Sequence, residues 1–199
     1  MRRVLVLFAH PALQKSRVQR ELGRAVRALP GVTFHDLYEA YPDFDVEVAR
    51  EQALLSEHDV VVLQFPFYWY STPALLKQWQ DLVLEQGWAY GREGKALHGK
   101  LLLCALSTGG SEASYQPGGS NRATILQLLA PLAQMAQLCG MQFLPPFVVH
   151  ETYRLGDAAL AAHAAGYAAL LAALRDERID LAAARGQARI NADLSALIG

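Results

Sequence analysis

The sequence predicts a three-layer α/β/α sandwich, with helices covering both faces of a five-stranded parallel sheet. Apolar runs of strand length alternate with segments of helical period along the chain, the pattern of a doubly wound sheet. Two of those runs, Arg3–Ala9 and Asp59–Phe65, are continuously apolar at their centres rather than alternating, as strands buried on both faces must be. The 199 residues show no stretch of linker composition, so one core is expected. It should span residues 1–175, followed by a helix-prone tail, 176–199, that the pattern does not place.

Taken in order, Arg3–Ala9 is the first strand. Residues 17–29 put Val18, Leu22, Ala25, Val26 and Leu29 on one helical face, and Pro30-Gly31 ends that helix. Val32–Leu37 is a short second strand, Glu47–Ser56 a helix and Asp59–Phe65 the third strand. Ser71-Thr72-Pro73 reads as a helix start with a hydroxyl cap and proline in the first turn. Leu75, Leu76, Trp79, Leu82 and Val83 form the inward stripe behind it. Lys100–Leu106 is the fourth strand and Arg122–Leu138 a helix with a bend expected at Pro131. Met141–Val149 is the fifth strand, which Pro145-Pro146 must distort or shorten. Asp157–Arg175 is a helix of mostly alanine and leucine. This alternation suits the flavodoxin-like order 2-1-3-4-5, in which a ligand sits beyond the carboxyl ends of the strands beside strand 1.

Composition narrows the function classes. Apolar residues make up 52% and charged residues 19% of the chain, ordinary for a soluble globular protein. A formal charge of −1 gives no electrostatic case for nucleic acid or anionic membrane as the main partner. The segment RRVLVLFA at 2–9 is too short for a signal peptide and lacks a cleavage site. No run reaches the roughly 18 apolar residues of a membrane span. Cys104 and Cys139 lie in apolar segments without paired spacing, so buried free thiols and a cytoplasmic setting are expected. The six histidines lack ligand spacing, which argues against a metal site. The lack of a GxSxG elbow counts against an α/β-hydrolase.

Chemistry gathers in three loops at the carboxyl edge. In His10-Pro11-Ala12-Leu13-Gln14-Lys15-Ser16-Arg17, Ser16 is placed to cap a helix. The N–H groups behind it, the helix dipole and Arg17 can hold a phosphate; a routinely capped turn reads equally well. In Pro66-Phe67-Tyr68-Trp69-Tyr70-Ser71-Thr72-Pro73, four successive aromatics cannot all enter one core. Some must cover a flat ligand or a partner, and loop placement favours the ligand. In Ser107-Thr108-Gly109-Gly110-Ser111-Glu112, paired glycines admit a ligand close to backbone, although a flexible turn has the same composition.

These loops also carry a family resemblance. The chain resembles the NAD(P)H:quinone oxidoreductases of the DT-diaphorase type, and within them the short bacterial ancillary flavoproteins of glutathione-gated Kef potassium-efflux systems. The matching stretches are FAHP (8–11), LYEAYPDFDV (37–46), EQ (51–52), DVVVLQFPFYWYSTPALLKQW (59–79), GWAYGREGKALHGK (87–100), STGGSE (107–112) and CGMQFLPPF (139–147). The resemblance implies a bound FMN, preferred over FAD because no extra segment for an adenylate is evident. His10, Ser16, Arg17, Val18 and Gln19 would hold its phosphate and ribityl chain. Pro66, Phe67, Tyr68, Trp69 and Tyr70 would line its ring, and Ser107, Thr108, Gly109 and Gly110 would bond its far edge.

The implied reaction is two-electron, ping-pong transfer from NAD(P)H through the flavin to a quinone. A homodimer with sites at its interface is also implied, with Trp88 and Tyr90 as a lid across that interface or as core packing. Tyr68 stands where close relatives carry glutamine. Tyr115 matches a tyrosine used in proton handling, but the histidine expected soon after it is missing, so Tyr115 is given a substrate contact and no general acid is assigned. The competing readings are a regulatory subunit of a Kef-type antiporter, peripheral at the inner membrane through that partner, and a flavodoxin-like one-electron carrier.

Overall fold

A computed structural model describes residues 1–199. Its strands are β1 (Val4–Phe8), β2 (Val32–Asp36), β3 (Val60–Pro66), β4 (Leu101–Ser107), β5 (Gln142–Phe143) and β6 (Phe147–Val149). All pairings are parallel and the order is β2-β1-β3-β4-β5, with β6 also on β4. The expected fifth strand is therefore two pieces at one sheet position. Proline has no N–H to give the ladder, so Pro145-Pro146 interrupts pairing between Phe143 and Phe147. Residues of β1, β3 and β4 are buried throughout, which explains their unbroken apolar runs.

The helices are α1 (Arg17–Arg27), α2 (Leu37–Ala40), α3 (Val48–Glu57), α4 (Ala74–Val83), α5 (Ile125–Leu128), α6 (Ala130–Leu138), α7 (Asp157–Arg175), α8 (Leu181–Ala184) and α9 (Leu194–Leu197). One apolar cluster joins α3, α4 and α6 to one face of the sheet, and a second joins α1 and α7 to the other. The first is pinned by Glu51, fully buried, which accepts bonds from His35 Nε2 at 2.8 Å, Tyr41 Oη at 2.6 Å and Trp79 Nε1 at 2.8 Å. Burial pushes the Glu51 carboxyl up, but these three donors outweigh it and hold the pKa below the ordinary value.

Four expectations need correction. At α4 no hydroxyl caps the helix: Pro73, extended at ψ 152°, precedes Ala74, and Ser71 pairs instead with Tyr68. Leu82 is 41% exposed, because it lies at the margin of a stripe centred on Leu75, Leu76, Trp79 and Val83. The helix expected over 122–138 begins at Ile125, after a capping box of Thr124 and Gln127, and breaks at Leu129 where Pro131 starts a new helix. Finally, α7 is long and apolar enough by length and composition to cross a bilayer. Here it is a core helix, with Leu160, Ala164, Tyr167, Leu170, Leu171 and Leu174 buried. Cys104 and Cys139 are buried free thiols, as expected.

The tail, unplaced by sequence, folds back on the second cluster. Ile179 and Ile198 pair, and Ala184, Ile190 and Leu197 are buried beside α7.

Candidate functional site

The carboxyl ends of β1, β3, β4 and β6 open on a cleft of about 230 Å³. Its walls include His10, Lys15, Ser16, Arg17 and Val18 from the first loop, with Pro66, Phe67 and Tyr68 from the second. Ser107 and Gly109 come from the third, and Thr152 and Tyr153 follow β6.

Ser16 caps α1 as expected, its Oγ accepting from Gln19 N at 3.2 Å. That leaves the N–H groups of Arg17 and Val18 without a partner in the chain, at the positive end of the helix dipole. Beside them His10 is 4% exposed. Its Nδ1 accepts from Ala12 N at 3.0 Å, so the ring proton sits on Nε2, and Nε2 has no partner in the protein. Burial lowers the His10 pKa, keeping the ring a neutral donor at pH 7. Three unspent donors thus meet at one end of the cleft, a setting made for an anion with several acceptor oxygens.

The guanidinium of Arg17 is spent elsewhere. It pairs with Asp157 at 2.9 Å and bonds Leu155 O, tying α1 to the start of α7. The cation without an ion pair at this end is Lys15, to which the sequence pattern assigns no role. Gln19 is fully buried below the cleft. Its Nε2 donates to Phe65 O at 3.0 Å and Ser107 Oγ at 2.9 Å. Its Oε1 accepts from Gln64, which in turn accepts from Tyr167. Gln19 therefore orients Ser107, whose own hydroxyl proton remains free for a ligand.

The aromatic run divides. Phe67 and Tyr68 line the cleft, Tyr68 standing edge-on to His10 with ring centroids 5.9 Å apart. Trp69 and Tyr70 have φ of 50° and 62° at the centre of a Tyr68–Ser71 turn closed by Ser71 N to Tyr68 O at 3.0 Å. Left-handed backbone at two bulky residues is strained, and it throws Trp69 into solvent at 92% exposure. Tyr70 lines a separate hollow and donates to Asn121 Oδ1 at 3.1 Å. Neither borders the cleft in this chain alone. Trp88 and Tyr90 are half-buried against the chain's own core.

In the third loop a Cβ on Gly109 would come within 2.9 Å of the Tyr153 ring, so only glycine lets that ring lie against the loop. Thr108 is buried; its hydroxyl donates to Gly110 O at 2.8 Å and accepts from His150 Nδ1 at 3.2 Å. Tyr115 is 7% exposed, and burial raises its pKa. It lines a neighbouring hollow of about 100 Å³, packed on Phe67 and, with centroids 5.8 Å apart, on His150. A histidine does stand by Tyr115, from the far end of β6. Lys15, His150, Thr152 and Tyr153 are the site residues the sequence reading missed. The last three lie just past a strand's carboxyl end, where the rule that located the other loops applies equally.

A family profile for the flavodoxin-like fold matches residues 2–171. The chain belongs to that family. It is 44% identical over 170 residues to the glutathione-regulated potassium-efflux system ancillary protein KefG of Cronobacter sakazakii, covering 85% of this chain and 92% of the relative. Among solved structures it resembles general stress protein 14 of Treponema denticola in complex with FMN. There the TM-score is 0.81 at 39% identity, covering 86% of this chain and 99% of that one. It also resembles an NADPH-quinone reductase from P. pentosaceus, with a TM-score of 0.77 at 36% identity over 84% and 96% of the two chains.

Proposed function

We propose that the chain is an FMN-dependent NAD(P)H:quinone oxidoreductase. The observation that carries this reading is the cleft's unspent donor set, the buried His10 Nε2–H beside the free N–H groups of Arg17 and Val18. A phosphate with three acceptor oxygens would satisfy all three, and Lys15 at the cleft wall would offset part of its charge. The neutral lining of Phe67, Tyr68 and Gly109 suits a flat ring. When bound, FMN supplies hydride acceptance from a nicotinamide and delivery of two electrons to a quinone.

The chain's own part is binding and orientation. Ser107 and the free N–H groups of Gly109 and Gly110 would face the ring's far edge, where preorganised donors would stabilise the negative charge that reduction creates. Phe67 and Tyr68 exclude water from the near wall. Tyr115, its pKa raised by burial, would contact the substrate from the neighbouring hollow. One open mouth serves both donor and acceptor, so ping-pong kinetics are expected. The solvent-facing turn at Trp69 and Tyr70 fits a homodimer in which these rings meet the partner at the mouth.

Purified protein should be yellow, release FMN on denaturation and oxidise NADH or NADPH rapidly only when a quinone is present. Bound FMN without quinone stimulation would overturn the enzyme. The similarity to KefG favours a second reading that keeps the same ligand, a regulatory subunit of a Kef-type potassium antiporter, cytoplasmic and held at the inner membrane through that partner. Co-purification with the antiporter distinguishes it.

A further inference from the structure

The family match ends at residue 171, yet the tail beyond it reaches the site. Arg189 meets Glu112 in a bidentate pair, Nε to Oε1 at 3.0 Å and Nη2 to Oε2 at 2.9 Å. The Arg189 side chain is 24% exposed. Next in sequence, Ile190 is fully buried and its N–H donates to Pro146 O at 2.9 Å. The Asn191 amide then does for β6 what a neighbouring strand would: Oδ1 accepts from Val148 N at 3.0 Å and Nδ2 donates to Val148 O at 2.9 Å. An otherwise open sheet edge is closed by one side chain.

What these contacts hold is the glycine loop. The Thr108 N–H donates to Val149 O at 2.9 Å, while Glu151 N and Thr152 N donate back to Gly110 O and Thr108 O, each at 3.1 Å. Loop Ser107–Glu112 is thus fastened on one side to β6 and the turn after it. On the other it is fastened through Glu112, and Arg189 and Asn191 grip both attachments. Gly109 lies between the two grips, and Tyr115 ends the helical turn that Glu112 begins.

We propose that tail residues Arg189–Asn191 form a clasp that sets the position of the cleft's glycine loop and of Tyr115, with Arg189 as its positioning residue. The clasp touches no ligand; it limits how far the loop can move from the ring's far edge. A single exposed ion pair is worth little; Glu112 is 55% exposed, but the pair is bidentate and restrains a binding loop, so it acts directly on ligand retention. The proposal rests on the FMN reading for its consequence and on the chain alone for its geometry.

Two variants test it, Arg189→Ala and Glu112→Gln; the second leaves every tail contact except this pair in place should the first fail to fold. Amide exchange is measured at Gly109–Tyr115 in flavin-free protein, and FMN dissociation by fluorescence titration. Each variant should speed exchange in that segment and raise the FMN dissociation constant about three- to tenfold. The swapped pair, Glu112→Arg with Arg189→Glu, should restore both. A variant that leaves either readout at the parent value overturns the clasp, as does a swap that restores neither. Where the parent itself fails to bind FMN, the cofactor reading falls, and exchange in the flavin-free protein alone then decides the clasp.

Discussion

On the proposed reading, His10 turns an unpartnered donor toward the ligand. Its Nε2–H is buried with no acceptor in the chain, and a donor of this kind costs about 1–3 kcal/mol where it is left unmet. The proposed phosphate removes that cost and adds a charge-assisted bond. Replacing His10 with alanine should therefore affect the two states of the protein unequally. Without flavin, the loss of the Nδ1 bond to Ala12 and relief of the orphaned donor offset one another, so the melting temperature should hold within a few degrees. The FMN dissociation constant should rise roughly 10- to 100-fold, the worth of a hydrogen bond to a charged group. Fluorescence titration beside thermal unfolding separates the two. An equal loss of stability with and without FMN would make His10 a structural residue only.

Among elements, α1 carries most of the proposed phosphate end. Its cap is Ser16, bonded to Gln19 N, and Ser16→Ala should cost about 1 kcal/mol, or roughly 2–4 °C in a domain of this size. Because the same cap holds the first turn's free N–H groups in line, FMN affinity should fall with it, which a melt and a titration on one sample would show. The cap was legible in sequence because the chemistry is local: a serine ahead of a periodic apolar segment. The destination of Arg17 was not, since its partners Asp157 and Leu155 lie 140 residues away or nearly so. Gln19 reads as a polar residue near a site, and only the fold shows it buried against Gln64 and Ser107. The cap expected from Ser71-Thr72-Pro73 failed for another reason. The aromatic turn claims Ser71 for its own closure, and nothing local in the sequence announces that competition.

For the whole molecule, the layers followed from alternation, because each central strand buried on both faces needs its own unbroken apolar run; the strand order followed from the flavodoxin-like pattern that this alternation suits. The clasp from the tail did not, because Arg189 and Glu112 are ordinary surface residues until the chain closes on itself. Closure also sets how the molecule responds to acid. His10, His150 and His163 are each lowered from the ordinary 6.5, with burial the leading cause. Glu112 and Glu151 pull His150 back up and Arg189 pushes it further down; Arg189 also pushes His163 down. A histidine with a depressed folded pKa binds its proton more readily once the chain unfolds, so unfolding takes up protons between the folded pKa and 6.5. Stability is then fully present above about pH 6.5 and declines as pH falls through that window. Flavin-free protein should melt progressively lower between pH 7 and pH 5. The double variant His150→Gln, His163→Gln removes two of the three sites, so its melting temperature should fall less steeply over the same range. A slope identical to the parent's would mean that these rings take up no extra protons on unfolding, and that the acid response arises elsewhere.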